Sequence, residues 1–537
     1  MGGADGGGGP APLDDADDSG SDTPEGAPSD TSYGGEARRH IRGSALLLAG
    51  RAISLALNFA SQILAVRFLA KSDYGSYSYA VSIVGVASVI NIFGFPRVTG
   101  RFAVIYQERE EYGRLAGSLL LSLGVIVGLG VSLIAVVWGL RDSLAGILHT
   151  DELTVRVLLV LVALAPIHAY DTLSSQLLAA FVGTRSVFFR QHVMNPGLRF
   201  GAVLAAVSFG ADAQQLALCA LLAGIVGVSI YTTLIVRAFG AKGFLARFRE
   251  SRLQVPAREV LSFGLPLVSS DILYIARTTL LAILIDYHFT SGDVAEYRAS
   301  LPLARFNTIV VDNFSYLFVP IAARFFARGD FQGVAAIQMR STMLVTVLTV
   351  PVFLTTFSLA QPVTEFLYGS EYARTAVIVG ILAFGEYLWA VFGFEAEALQ
   401  VLGYVRRIVI CDVLTLAAVI ALALTLIPRY GPIGAAWAEV ISLVLYRMAN
   451  AVALWSATGI SPFRPRLLLF LALIFGGSGG LLFLQHTFAL PLWLGLGVAA
   501  LLSLLMVRIA RRDLEIDQVF PEVLRYRAVR WLVGNSR

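Results

Sequence analysis

The sequence predicts an all-α polytopic membrane protein, and three observations carry that reading. Of 537 residues, 56% are hydrophobic and only 15% charged, where soluble domains carry about 25% charge, and the mean hydropathy is +0.72. From Ser44 onward the chain is a succession of apolar runs, each long enough to cross a hydrocarbon core of ~30 Å. Period-2 alternation is absent from these runs, which excludes a β-barrel. Helices remain as the way to satisfy backbone polar groups in lipid.

Residues 1–40 precede the membrane body. They are rich in Gly, Pro, Ser, Asp and Ala, and they carry nine acids against two arginines. Such a segment cannot bury enough surface to offset its ordering entropy, so a disordered acidic cytoplasmic tail is expected. It either solvates the protein or docks a partner enzyme. Unlike a signal peptide, it is acidic and lacks an apolar core before a cleavage site. The net charge of +4 is therefore a −7 tail set against a +11 body.

About fourteen transmembrane helices follow in order. The first run, 44–66, is entered through Arg38, Arg39 and Arg42, where a cytoplasmic anchor belongs. Runs 76–98, 115–138, 154–180, 187–209 and 214–236 complete a set of six. Runs 258–287, 294–320, 333–359, 373–399, 408–427 and 432–455 form a second set, and 467–485 and 490–507 add two C-terminal helices. The expected organisation is an N-lobe over 41–237, a basic cytoplasmic linker at 238–257, a C-lobe over 258–456, a helix pair within 457–510 and a cytoplasmic tail at 511–537. Counted over alternate loops with the N-terminus inside, inner segments hold 25 Lys and Arg, outer loops four and the spans twelve. One helix more or fewer would invert every later loop and erase that bias. It places both termini in the cytoplasm of a plasma-membrane protein.

The two sets of six show weak internal similarity. Lys71-Ser72-Asp73-Tyr74-Gly75-Ser76-Tyr77 follows the first run, and Thr290-Ser291-Gly292-Asp293-Val294-Ala295-Glu296-Tyr297 follows the seventh. Each is a short outer turn leading into a helix that begins with tyrosine. Repeated bundles about a central site are a transporter signature; here the repeat is parallel, because six helices return the chain to the same side.

Several function classes are excluded. The two cysteines, Cys219 and Cys411, lie in apolar runs, so neither a disulfide scaffold nor a cysteine-based zinc site is expected. No G-x-x-x-x-G-K-[ST], H-E-x-x-H or G-x-S-x-G occurs. The outer loops 139–153 and 360–372 are too short for a membrane glycosyltransferase or polymerase site. No catalysis, metal, cofactor or nucleic acid is expected. Translocation is.

Polar residues within the runs need a partner, a cavity or a function, because a charge near the bilayer centre costs at least ~2.5–3.5 kcal/mol. In the first run Arg51, Asn58 and Gln62 share one helical face, with Ser54 beside it. In the eighth, Arg298, Arg305 and Asp312 recur every seven residues near Pro302 and Asn313. The seventh adds Asp271, Tyr274 and Arg277; the tenth adds Glu386 and Glu397, eleven apart and nearly co-facial, near Trp389 and Gly393. Any one stripe is equally explained as interhelical glue or as a satisfied ion pair, Arg305 with Asp312 or Arg277 with Asp271. Together, Arg51, Arg277, Arg298 and Arg305 suggest a hydrated central cavity for an anionic substrate, with Asn58 and Gln62 suited to hydroxyl groups. His168 and Asp171, one turn apart, form either a proton relay or packing polar residues beside Pro166. Asp412, Glu439 and Arg447 have the option of pairing with one another. The basic stretch 237–258, Arg511-Arg512 and an amphipathic segment at 518–533 suit anionic membrane lipids.

Three motifs then carry a family resemblance. Arg67-Phe68-Leu69-Ala70-Lys71-Ser72-Asp73-Tyr74-Gly75-Ser76-Tyr77 resembles the R-x-L-G-x-x-x-Y-G-x-Y opening of oligosaccharide flippases of the polysaccharide transporter (Wzx-like) type. Phe263-Gly264-Leu265-Pro266 is similar to that family's Phe-Gly-x-Pro start of the seventh helix. Ile427-Pro428-Arg429-Tyr430-Gly431-Pro432-Ile433-Gly434-Ala435-Ala436 is similar to its IP-x-YG-x-x-GAA junction before the twelfth. The likeness covers residues ~40–510, departing from it in the acidic tail and in Leu69-Ala70 where Leu-Gly is common. It implies the MATE/MurJ-like fold of the multidrug/oligosaccharidyl-lipid/polysaccharide exporter superfamily, with two six-helix lobes and two further C-terminal helices. The implied substrate is a lipid-linked glycan on a polyprenyl or dolichyl phosphate or pyrophosphate, flipped from the inner to the outer leaflet, with glycan assembly enzymes as partners. Arg51, Arg277, Arg298 and Arg305 are the inferred holders of the anionic head. Asp271, Glu386, Glu397 and His168 are the candidates for ion coupling. Competing readings are a cation-coupled multidrug or metabolite exporter of the same fold and a membrane glycan polymerase or glycosyltransferase.

Overall fold

The computed structural model describes residues 50–92, 95–260, 279–459 and 465–514, and all regular structure among them is helical. The chain divides into a short unit, Met1–Ala52, and a second, Ile53–Arg537.

Helix α1 covers 50–68. It leads to α2 (Lys71–Ile92), α3 (Phe95–Glu108), α4 (Tyr112–Gly139) and the short α5 (Arg141–Leu148). The expected span 154–180 is two helices, α6 (Glu152–Leu161) and α7 (Leu164–Phe181), with the Asp151 side chain capping the first by accepting from Thr154 N–H at 2.9 Å. Next come α8 (Thr184–Phe189), a π turn at Arg190–Met194, α9 (Asn195–Ser208) and α10 (Ala213–Ala241). A capping box between Asp212 and Gln215 starts α10. The linker contains α11 (Phe244–Glu250) and then runs along α4, where Gln254 N–H donates to the Gly113 carbonyl at 3.2 Å.

After α12 (Thr279–His288) come α13 (Ser291–Arg305), a 3-10 turn at Phe306–Thr308 and α14 (Ile309–Ala327). They are followed by α15 (Phe331–Phe353), a π turn at Leu354–Ser358, α16 (Ala360–Tyr368), a 3-10 turn at Ser370–Tyr372, α17 (Thr375–Val391) and α18 (Glu395–Val401). Helix α19 (Val405–Thr458) joins two expected spans through Gly431, whose φ of 57° and ψ of −135° break the helix between Pro428 and Pro432. Helices α20 (Pro465–Phe488) and α21 (Leu492–Leu514) close the described chain. Nine described helical segments are long and apolar enough to cross a membrane; one of them, Arg406–Thr458, has 53 residues and covers two expected spans.

Within Ile53–Arg537 the contacts fall into two sets. Helices α2, α3, α4, α6, α7, α9 and α10 pack on one another, as do α13, α14, α15, α17, α18 and α19. Helices α20 and α21 join the second set. Phe353 stacks on Tyr387 at 4.2 Å and meets Phe475 edge-on at 5.9 Å, while Ser358 donates to the Ser478 carbonyl at 2.8 Å. The principal bridge between the sets is α2 against α13, which brings the two weakly similar turns face to face. A Cβ on Gly75 would lie 1.8 Å from the Ser291 carbonyl oxygen, so only glycine admits this approach.

Two stripes read as continuous are interrupted. The 3-10 turn after Arg305 changes the angular step per residue, which takes Asp312 out of register with Arg298 and Arg305. Helix α17 ends before Phe392 and α18 restarts at Glu395, so Glu386 and Glu397 lie on separate helices and are not co-facial.

Candidate functional site

A cavity of about 510 Å³ lies between the two sets. Its wall includes Asn58, Ser61 and Gln62 of α1, Tyr74, Tyr77 and Ser78 of α2, Arg199 of α9 and Arg298, Pro302 and Arg305 of α13. Leu55, Phe59, Val81, Leu301 and Ile309 supply apolar surface. Four residues expected there from the sequence, Asn58, Gln62, Arg298 and Arg305, are thus brought together. Arg51 belongs to the short unit Met1–Ala52, and Asp271, Tyr274, Arg277, the acidic tail and the 518–533 segment fall outside the described residues.

Local sequence explains how these side chains are held. Pro302 lies inside α13 and cannot donate to the carbonyl four residues before it, that of Arg298, so the helix is weakened between the two arginines. Arg199 follows Pro196 in the first turn of α9, directly after the π turn. Gln62 Nε2 donates to the Tyr74 hydroxyl, and Asn58 Nδ2 donates to the Ser54 carbonyl at 2.8 Å. Arg298 donates from Nη2 to Ser82 Oγ, while its Nε is buried with no hydrogen-bond partner among the described residues.

The electrostatics are one-sided. Arg199, Arg298 and Arg305 contribute three guanidinium groups, and no carboxylate occurs among the described lining residues. Arg199 and Arg305 are exposed toward this space. Guanidinium groups stay charged at every physiological pH and present paired donors to phosphate or carboxylate oxygens. The arrangement can hold an anionic head beside hydroxyl-bearing groups.

At the start of α2, side chains tie the two sets of helices together. Lys71 Nζ pairs with Glu296 at 2.5 Å, one turn along α2 and α13 from the Gly75–Ser291 approach, and Arg67 Nη1 donates to the Phe366 carbonyl at 3.3 Å. The Lys71 ammonium also lies 5.5 Å from the centre of the Tyr372 ring.

The other sequence candidates sit elsewhere. Asp171 accepts from Arg190 Nε at 3.1 Å and from Asn195 Nδ2 at 3.4 Å, and Arg190 lies over the Tyr231 ring at 4.7 Å. His168 Nδ1 faces Ser88 Oγ at 3.5 Å instead. Glu386 is buried in α17, and Glu397 accepts from Ser315 at 3.2 Å. Arg447 stacks over Trp389 at 3.5 Å, and Glu439 accepts from Tyr297 at 2.5 Å.

Sequence reasoning missed Arg199, Tyr74, Tyr77 and Ser78 as wall residues. Arg199 was visible as one of twelve basic residues in the predicted spans, with Asn195 and His192 four and seven positions earlier on the same helical face, but that stripe was not singled out. Arg190, nine positions earlier, has the same signal and is ion-paired.

The profile of the family described as polysaccharide biosynthesis protein matches residues 63–377. The chain belongs to that family. No curated protein matches its sequence. Among solved structures, it resembles the lipid II flippase MurJ in an inward closed conformation, at 14% identity over 88% of this chain and 99% of that one, with a TM-score of 0.63. It also resembles an inward-facing multidrug resistance MATE transporter of the MOP superfamily, at 12% identity over 77% and 98%, with a TM-score of 0.58. A third is a MOP superfamily transporter from Pyrococcus furiosus described by a reverse polarity of its binding pocket, at 15% identity over 78% and 95%, with a TM-score of 0.50. These likenesses establish the MATE/MurJ fold of this multi-pass membrane protein.

Proposed function

We propose that this member of the polysaccharide biosynthesis family is a flippase, not an enzyme. It carries a lipid-linked oligosaccharide, on a polyprenyl or dolichyl phosphate or pyrophosphate, from the inner to the outer leaflet by alternating access. The product would feed surface polysaccharide assembly or protein glycosylation. The observation that carries this reading is the cavity wall: three arginines, two tyrosines, amides and hydroxyls, with no carboxylate among the described lining residues. Moving a charged, hydroxylated head through bare hydrocarbon would cost on the order of tens of kcal/mol. A hydrated cationic cavity lowers that cost while the lipid tail stays in the bilayer. The Lys71 end is then the outer face, because the opposite loops hold 25 basic residues against four. Glu386, Glu397, His168 and Asp271 are the groups through which an ion gradient would act.

The test is reconstitution in liposomes with a fluorescent polyprenyl phosphate carrying a disaccharide. Arg199→Gln, Arg298→Gln and Arg305→Gln should each slow flipping about 10–100-fold, as expected for losing one hydrogen bond to a charged group, with the melting temperature held. Export of cationic dyes without lipid flipping would instead identify a multidrug exporter.

A further inference from the structure

Beside the Lys71–Glu296 pair, the structure buries hydroxyls that no described residue satisfies. Thr364, Tyr368, Tyr372 and Thr375 each hold a side-chain oxygen hidden from solvent and without a hydrogen-bond partner among the described residues. All four lie on α16, the 3-10 turn after it and the first residue of α17. Tyr368 and Tyr372 are each 2% exposed, and their rings meet edge-on at 5.9 Å. Tyr74, which also lines the cavity, belongs to the same buried cluster. The Lys71–Glu296 pair lies over this place, with the ammonium on the Tyr372 ring. Burial first, then Tyr74, Glu371 and Glu296, push the Tyr372 phenol above its ordinary range, and burial first, then Tyr74 and Tyr372, do the same for Tyr368. Both therefore remain neutral donors.

A buried hydroxyl with no partner lowers stability, and native proteins hold few such groups. Four of them fall within residues 364–375, on one short stretch of chain. Hydroxyls that donate and accept, set among aromatic faces with a carboxylate and an ammonium in reach, match the hydroxyl groups and apolar ring faces of a neutral sugar. We propose that Thr364, Tyr368, Tyr372 and Thr375, with Lys71 and Glu296, form a sugar-binding subsite next to the arginine cavity, filled when the α2–α13 contact parts. The assignment rests on the flippase reading and adds to it a division of labour. The arginines hold the anionic head, and this subsite receives sugar hydroxyls on the way out. In the present conformation the Lys71–Glu296 pair keeps the subsite closed; separation of the pair would release both groups to the sugar.

The double variant Tyr368→Phe/Tyr372→Phe tests this. It removes only hydroxyls that make no hydrogen bond here, so a purely structural role predicts an equal or higher melting temperature and unaltered transport. Full-length protein in liposomes would be assayed with two fluorescent probes, a polyprenyl phosphate bearing a disaccharide and the same phosphate without sugar. The expected result is a fall of about tenfold in the ratio of disaccharide to sugar-free rates, the loss of about one hydrogen bond's worth of discrimination, with no drop in melting temperature. Equal slowing of both probes, or of neither, would overturn the subsite, assign the hydroxyls to ordered water and leave the flippase reading intact. A wild-type protein that moves neither probe would reject the flippase reading and the subsite with it.

Discussion

At the residue scale, the tightest constraint is Gly75. Both partners in its contact are backbone, so a methyl group placed 1.8 Å from the Ser291 oxygen cannot be relieved by a rotamer change. Overpacking of this kind costs typically ~1–3 kcal/mol, and under the proposed alternating access the cost would fall on the conformation in which α2 and α13 touch. Gly75→Ala should therefore widen the distance between spin labels at Ser72 and Gly292 and slow transport; an unchanged distance distribution would show that this contact does not hold α2 against α13. Glu296→Gln acts on the same contact through charge. It leaves Lys71 hydrogen-bonded to a neutral amide, at a cost of about 1 kcal/mol, and should shift the same distances in the same direction by less.

At the element scale, the irregular segments do the positioning. The π turn at Arg190–Met194 places Arg190 against Asp171, while Arg199 on α9 faces the cavity. Asp171→Asn would strand a guanidinium whose side chain is 4% exposed. That should cost about 3 kcal/mol, the low end for a buried pair because Asp171 keeps part of its surface, read as a lower melting temperature in detergent. Gly431 holds a conformation open to glycine alone, with Phe289 ring atoms 3.4 Å from a would-be Cβ. Gly431→Ala should destabilise by about 1–3 kcal/mol and disturb the junction between the two halves of α19; retention of full stability would contradict that assignment of strain. Neither π turn is visible in a hydropathy pattern, because one extra residue in a turn leaves composition untouched.

At the scale of the whole molecule, charge placement makes a prediction about orientation. Asp142 on α5 has a side chain 89% exposed, and Arg249 on α11 is exposed at the other end of α4. Asp142→Cys should react with a membrane-impermeant maleimide in intact cells, and Arg249→Cys only after permeabilisation. The native Cys411 is buried and Cys219 half-buried, so the background is low. The reverse labelling pattern would invert the topology and move the Lys71 end to the inner face.

The sequence by itself determined the solvent this chain folds in, its helical class, the approximate limits of its runs and its family resemblance. Those follow from composition and from motifs such as Tyr74-Gly75-Ser76-Tyr77, which survive without knowledge of neighbours. It also pointed to Asn58, Gln62, Arg298 and Arg305, because a polar stripe on an apolar helix is a local signal. Tertiary structure alone decided which in-membrane charges were already spent. Arg190 and Arg199 look alike along the chain, and only packing gives one a carboxylate and the other a cavity. The same holds for Glu386 and Glu397, whose shared face disappears once the backbone breaks at Phe392–Phe394. A helical wheel assumes an unbroken helix and sees no other element, whereas a charge in a membrane takes its role from whichever helix packs against it.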